Sequence, residues 1–339
     1  MELEILALAW FLLLGVLLAG YAVLDGFDLG VGIVHLLVAR DDAERRAALA
    51  SIGPLWDGNE VWLVTFGGAL FAAFPAAYAS LFSGFYTAFM LLLFALIVRA
   101  VSIEFRSKRP GRGWRRTWDV AFSGGSTLAS FLFGVAVGNV LRGLPLDARG
   151  DFRADLGELL NPYAVLVGLM VVALFAMHGS IFLQLRTGGA LQARALRWSR
   201  RSAAVFAALF LGATALSLVE LPAATANLRR EPALWVVPLL ALLALANVPR
   251  ALSRGRAGQA FLGSAVLIAA LVGLLGTTLY PNLVTATHPG HSLSILDAAS
   301  SPRTLLIMLL FAGIGMPLVI AYTALVYWTF RGRQRPGGY

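Results

Sequence analysis

The sequence predicts an all-α, polytopic membrane protein, and three observations carry that expectation. Apolar residues make up 59% of the 339-residue chain against 13% charged, with a mean hydropathy of +0.78, a balance that a soluble globule of this length does not accommodate. The apolar runs are helix-length and lack the roughly ten-residue alternation of an outer-membrane barrel, so the backbone must satisfy its own hydrogen bonds within helices. The basic residues are also segregated: 21 of the 27 Lys and Arg fall in alternate connections, which places them on one side of the membrane.

Nine spans are expected, near 5–30, 51–73, 76–99, 119–142, 160–185, 203–222, 233–249, 259–280 and 303–330. The first opens on Met1-Glu2-Leu3-Glu4, without a basic leader or a small-residue cleavage site, and reads as a retained helix. The second starts at Gly53-Pro54, a helix N-terminus whose dipole favours the nearby Asp57. Basic connections follow the first, third, fifth, seventh and ninth spans, at 40–50, 99–118, 186–201, 250–256 and 331–339; Arg142, Arg149, Arg153, Arg229, Arg230 and Arg303 lie on the other side. By the positive-inside rule the first set is cytoplasmic, so the N-terminus is periplasmic and the C-terminus cytoplasmic, as an odd number of spans requires. Trp10, Trp118, Trp235, Trp328 and Tyr280 fall near span ends and read as the aromatic belt.

The net charge of +9 reflects loops beside anionic headgroups, and no basic module with interleaved aromatics supports a nucleic-acid partner. The absence of cysteine excludes thiolate metal sites, iron–sulfur clusters, c-type haem attachment and disulfides. No Walker A, dinucleotide-binding glycine pattern or His-Glu-x-x-His zinc site occurs.

The chemistry-bearing residues are carboxylates inside apolar spans, which makes them a functional-site hypothesis by default. Asp25 and Asp28, in Leu24-Asp25-Gly26-Phe27-Asp28-Leu29-Gly30-Val31-Gly32, form an i,i+3 pair on one face of the first span; Asp57 and Glu60, in Trp56-Asp57-Gly58-Asn59-Glu60-Val61-Trp62, repeat that spacing in the second. The first pair sits late in an inward span and the second early in an outward one, so all four are expected in the cytoplasmic half, able to converge. Gly26, Gly30 and Gly32 allow a neighbouring backbone to approach closely. Carboxyl groups at this depth can relay protons, since each can be neutral or charged and water can link the gaps; the plainer reading is polar anchors holding helices together. Glu60 can instead pair with a cation from another helix. Glu104, Arg106 and Asp119 read as interfacial pairs, His35 as a boundary residue, and His178 as a hydrogen-bonded structural histidine rather than a haem ligand. His288-Pro289-Gly290-His291 is too short and solvated to argue for a metal.

Several linked motifs resemble subunit II of the cytochrome bd quinol oxidases: Asp25-Gly26-Phe27-Asp28-Leu29-Gly30-Val31-Gly32, the run Trp56 to Trp62, Gly67-Gly68-Ala69-Leu70-Phe71-Ala72-Ala73-Phe74-Pro75, Phe105-Arg106-Ser107-Lys108, Tyr280-Pro281-Asn282-Leu283, Leu296-Asp297-Ala298 and Tyr322-Thr323-Ala324. The resemblance implies two four-helix bundles plus a peripheral ninth helix, divided here as residues 1–142, 143–285 and 286–339. It implies a chain with no haem of its own, paired as a heterodimer with a subunit I that carries two b-type haems and one haem d and the quinol-oxidising loop. A very small accessory subunit often joins them, and a quinone can be held structurally in subunit II. The complex would sit in the bacterial inner membrane, oxidise quinol at the outer side and reduce dioxygen with protons drawn from the cytoplasm, generating a proton-motive force without pumping. A proton route in subunit II would match Asp28 and Asp57 most directly, with Asp25 and Trp56 beside them and Glu60 where some members have Gln. Two other classes compete: a stand-alone secondary transporter or channel, and an assembly subunit whose carboxylates are inert.

Overall fold

The computed structural model describes residues 2–151, 154–221, 225–288 and 290–333. Arg153 and Arg335, expected on opposite sides of the membrane, and Pro289 of the two-histidine loop lie outside the described residues.

Helices dominate, in the order α1 (Glu2–Val38), α2 (Asp42–Ile52), α3 (Trp56–Ala73), α4 (Pro75–Gly84), α5 (Tyr86–Phe105), α6 (Arg112–Arg142), α7 (Leu156–Leu159), α8 (Pro162–Arg186), α9 (Gly189–Glu220), α10 (Ala226–Arg230), α11 (Val236–Ser253), α12 (Ala257–Leu279) and α13 (Pro302–Thr329), with a short antiparallel pair β1 (Asn282–Val284) and β2 (Leu293–Ser294) before α13. Among the described residues eight helical stretches are long and apolar enough to cross a membrane: α1, α5, α6, α8, α9, Pro232–Ser253, α12 and α13. The all-α polytopic class therefore holds. The expected second span is α3, which is 18 residues long but carries Asp57, Asn59 and Glu60 in its first turns and does not join those eight.

Several boundaries differ from expectation because charged residues tolerate a helix end that hydropathy discounts. α1 continues eight residues past the expected 30 to Val38, and α9 begins at Gly189 rather than 203, so that Arg194, Arg197, Arg200 and Arg201 are helical. The expected third span is two pieces: α4, with Pro75 at its first position, and α5, separated at Phe85. The expected connection 40–50 and the first two residues of the expected second span instead hold the amphipathic α2, capped by Asp41, whose side chain accepts from the Glu44 amide at 2.9 Å. Asn161 and Ser301 cap α8 and α13 in the same way, each followed by a proline at the first helical position.

The centre of the molecule is the crossing of α1 and α8. A Cβ on Gly30 would overlap the Phe175 carbonyl, and one on Gly179 would overlap the Gly30 backbone, so the two helices meet backbone to backbone as the glycine pattern anticipates. α6 and α9 flank α8, and α12 packs on α1 and α8. At one end of the bundle the segments 143–151 and 281–301 cover the helix termini: the Leu144 amide donates to Thr285 O (2.8 Å), Ser80 Oγ to Gly150 O (2.6 Å) and Ser300 N to Ala73 O (2.8 Å). Trp10, expected in the aromatic belt, is instead buried there, its indole donating to Leu305 O at 3.0 Å; Trp235, Trp328 and Tyr280 are exposed.

Gly30→Ala is expected to destabilise by about 1–3 kcal/mol or more, because the backbones must separate, whereas Gly67→Ala, inside α3 where a Cβ meets no atom within 4 Å, should not destabilise and can add a few tenths of a kcal/mol through helix propensity. Thermal melting of the purified complex compares the two; equal melting temperatures would remove the crossing as a constraint.

Candidate functional site

Most of the buried charged residues fall in two clusters. The first joins α1, α3, α5 and α13. Arg99, fully buried on α5, binds Asp25 of α1 through two nitrogens, Nη2 to Oδ1 at 2.6 Å and Nη1 to Oδ2 at 3.3 Å, and donates from Nη1 to Glu60 of α3. Asp28, one turn below Asp25 on the same face, has a different partner: Asn59 Nδ2 donates to its Oδ2 at 2.7 Å and to Leu24 O at 3.2 Å. The Tyr327 hydroxyl, from α13, donates to Asn59 Oδ1 at 3.0 Å. Asp28 Oδ1 is buried without a hydrogen-bond partner among the described residues.

Three of the expected site residues, Asp25, Asp28 and Glu60, are thus brought together. Asp57 is not in the cluster: it is exposed, while Trp56 is half-buried. Helix geometry explains the difference, since Asn59 faces inward and a residue two positions earlier lies about 200° away around the axis. Trp62 seats its ring against α1 at Gly20, where a Cβ would collide with it. Sequence reasoning missed Arg99, Asn59 and Tyr327. Arg99 had been assigned to a basic connection; its signal was position, since it falls within a long apolar run where an arginine needs an acid.

The second cluster lies at the end of the bundle that carries the arginine-rich connections. Asp119 of α6 accepts from His35 Nε2 (2.8 Å), Arg106 Nε (2.6 Å) and Arg45 Nη1 (3.0 Å), and Arg106 Nη2 also donates to Asp42 at 2.9 Å. Arg115 and Arg46 bind Asp42 as well. The network fastens the ends of α1 and α5 to α2 and the start of α6. The expected Arg106–Asp119 pair is present; Glu104 is exposed and stands outside it, and His35, in the last turn of α1 near the expected boundary, is fully buried. Arg194 of α9 adds a further tie, to Val38 O (2.6 Å) and to Glu44.

His178 is buried with both ring nitrogens in use, Nδ1 with Ser264 Oγ (2.7 Å) and Nε2 with Val23 O (3.1 Å), and its ring stacks on Phe261. It is a structural histidine, as read from the sequence. Among the described residues no group of three or more His, Cys, Asp or Glu is arranged to hold a metal ion.

Fold and site together define a multi-pass helical membrane protein with an acid cluster clasped around one buried arginine. The family is more specific. The sequence profile of the cytochrome bd terminal oxidase subunit II family matches residues 6–330, and the chain belongs to that family. It is 36% identical to cytochrome bd-I ubiquinol oxidase subunit 2 of Escherichia coli K12, over 97% of this chain and 95% of that one. It is 35% identical to cytochrome bd ubiquinol oxidase subunit 2 of Bacillus subtilis, over 96% and 95%. The fold matches a chain of the bd oxidase from Geobacillus thermodenitrificans with a TM-score of 0.78 at 20% identity, over 97% of this chain and 99% of that one. The protein is therefore a subunit of an oxygen-reducing terminal oxidase complex of the bacterial inner membrane, and its function implies a partner subunit I and haem in the complex. Of the other histidines, His35 Nε2 is held by Asp119, and His288 and His291 stack on each other in a loop.

Proposed function

We propose that this chain is the haem-free half of a heterodimer with a haem-bearing subunit I, and that it contributes to proton uptake from the cytoplasm for dioxygen reduction. The observation that carries this reading is the unequal bonding of the acid cluster. Asp25 and Glu60 are tied to Arg99, whereas Asp28 keeps a buried oxygen, Oδ1, with no donor among the described residues. Asp28 can take up and release a proton there without breaking an ion pair. Asp57 and Trp56, at the exposed start of α3, would stand between that oxygen and the partner or the aqueous side, and Glu60 and Asp25 would set the field around it.

The relatives named as ubiquinol oxidase subunits support quinol as reductant; its oxidation by subunit I, with two b-type haems and one haem d housed there, is part of the proposal on family resemblance. A very small accessory subunit and a structurally bound quinone remain part of the proposal on family resemblance. The same holds for the division into bundles at 1–142 and 143–285 with a peripheral segment 286–339; the halves would meet where α8 packs on α1 and α6. The competing transporter or channel reading has no support from the relatives, all oxidase subunits by name. Purifying the tagged chain with its partner and measuring quinol-dependent oxygen consumption tests the proposal. Haem-containing complex that consumes oxygen supports it, and an isolated chain that retains a full haem spectrum overturns it.

The orientation follows from the basic bias, with the N-terminus periplasmic and the C-terminus cytoplasmic. In intact cells a membrane-impermeant thiol reagent should label Arg149→Cys and leave Arg112→Cys unlabelled until lysis; both positions are exposed and the chain has no cysteine of its own. The reverse pattern would invert the topology.

A further inference from the structure

Where α1, α6 and α8 meet, the flank of the bundle carries an apolar groove of about 560 Å³, lined by Leu36, Val120, Gly124, Thr127, Phe131 and Leu169 among others. Gly124 opens it, since a Cβ there would meet nothing within 4 Å, and the exposed Leu36, Val120, Leu128 and Leu169 form its rim. Along α6 the lining runs from Val120 to Phe131, eleven residues or about 16 Å at the helical rise. That is close to half of the roughly 30 Å hydrocarbon core, the reach of one acyl chain in one leaflet.

The ends of the groove differ. At one end Leu36 and Val120 are each four residues from an exposed arginine, Arg40 and Arg116, on the arginine-rich side of the molecule. The nearby acids are engaged elsewhere: Asp41 with the Glu44 amide as the cap of α2, Asp42 with Arg46, Arg106 and Arg115, and Glu44 with Arg194 and the Arg40 amide. The other end, at Phe131 and Leu169, lies mid-span. The two lining hydroxyls are spent on the helices, Thr127 Oγ1 on Ser123 O (2.7 Å) and Ser123 Oγ on Ile33 O (3.5 Å), so nothing along the groove asks for a polar ligand.

We propose that the groove holds one acyl chain of an anionic phospholipid from the leaflet on the arginine-rich side, with its phosphate against Arg40 and Arg116. Length, apolarity and charge at the mouth match that occupant together. The proposal rests on the membrane assignment alone and is independent of the proton route.

Native mass spectrometry of the delipidated complex, titrated with dioleoylphosphatidylglycerol or dioleoylphosphatidylcholine, tests it. The unsubstituted complex should retain one phosphatidylglycerol in roughly tenfold preference, given two basic residues at the mouth. Gly124→Phe, which fills the groove, should weaken retention of both lipids about tenfold or more, while Leu211→Phe on the exposed face of α9 should change neither. Arg40→Ala with Arg116→Ala should keep one lipid bound and equalise the two headgroups. If Gly124→Phe does not assemble, Thr127→Leu gives the same reading. Undiminished phosphatidylglycerol in the filled-groove variant, or equal binding of both lipids by the unsubstituted complex, overturns the proposal.

Discussion

Arg99→Leu is expected to abolish assembly of the complex. The substitution leaves Asp25, with no solvent exposure, and the half-buried Glu60 facing each other without their shared cation. Removing one partner of a buried ion pair costs about 3–5 kcal/mol, because the remaining charge is desolvated without compensation; here two carboxylates lose it at once. Much of the 5–15 kcal/mol that typically holds a domain folded would go. Arg99→Lys keeps the charge but not the two-nitrogen grip on Asp25, and should give a reduced yield. The triple variant Arg99→Leu, Asp25→Asn, Glu60→Gln should recover assembly, since a neutral cluster has no charge to strand. Size-exclusion yield of the tagged chain with its partner is the measurement. Assembly of Arg99→Leu at the level of the unsubstituted protein would show that the arginine is not the clasp.

The second large effect is expected at Asp28. Asp28→Asn preserves size and the acceptor that Asn59 Nδ2 bonds, but removes the group that can exchange a proton through a charged state. The complex should keep its haem, while quinol-dependent oxygen reduction falls roughly ten- to a thousandfold, the range that general acid–base groups supply. Asp57→Asn should act in the same direction, and the double variant should lose less than the product of the two if both serve one route. Glu60→Gln should be milder, because the amide can still accept from Arg99. Oxygen-electrode rates normalised to haem decide the matter. Full turnover in Asp28→Asn with full haem content would leave the carboxyl as an anchor; lost haem would assign it to assembly.

The span positions and the acidic pairs were legible because both are local: apolar run length and i,i+3 spacing need only neighbouring residues. The partners of those acids were not. Arg99 lies 74 residues from Asp25 and 39 from Glu60, and Tyr327 lies 268 from Asn59, distances at which nothing short of the packed fold states a pairing. The exposure of Asp57 was hidden for a related reason. Spacing places Asp57 and Glu60 within one sector of α3, but which sector turns inward is settled by Asn59 and Trp62 against α1. Helix ends were misjudged where arginines begin or extend a helix, since hydropathy reads them as loop and helix geometry does not. The Gly30 approach to α8 was the tertiary contact the sequence did announce, because only a residue without a Cβ permits it.

Of α13 only Leu305 is buried, yet this loosely seated helix supplies the hydroxyl that completes the Asn59–Asp28 bond. The consequence concerns biogenesis. Asp25, Glu60 and Arg99 all precede residue 100, so a growing chain can close the arginine clasp before the later helices are made. Tyr327 follows Arg99 by 228 residues. The hydrogen-bond chain to Asp28 therefore closes only once α13 has been made, and the site is wired after the scaffold around it has set.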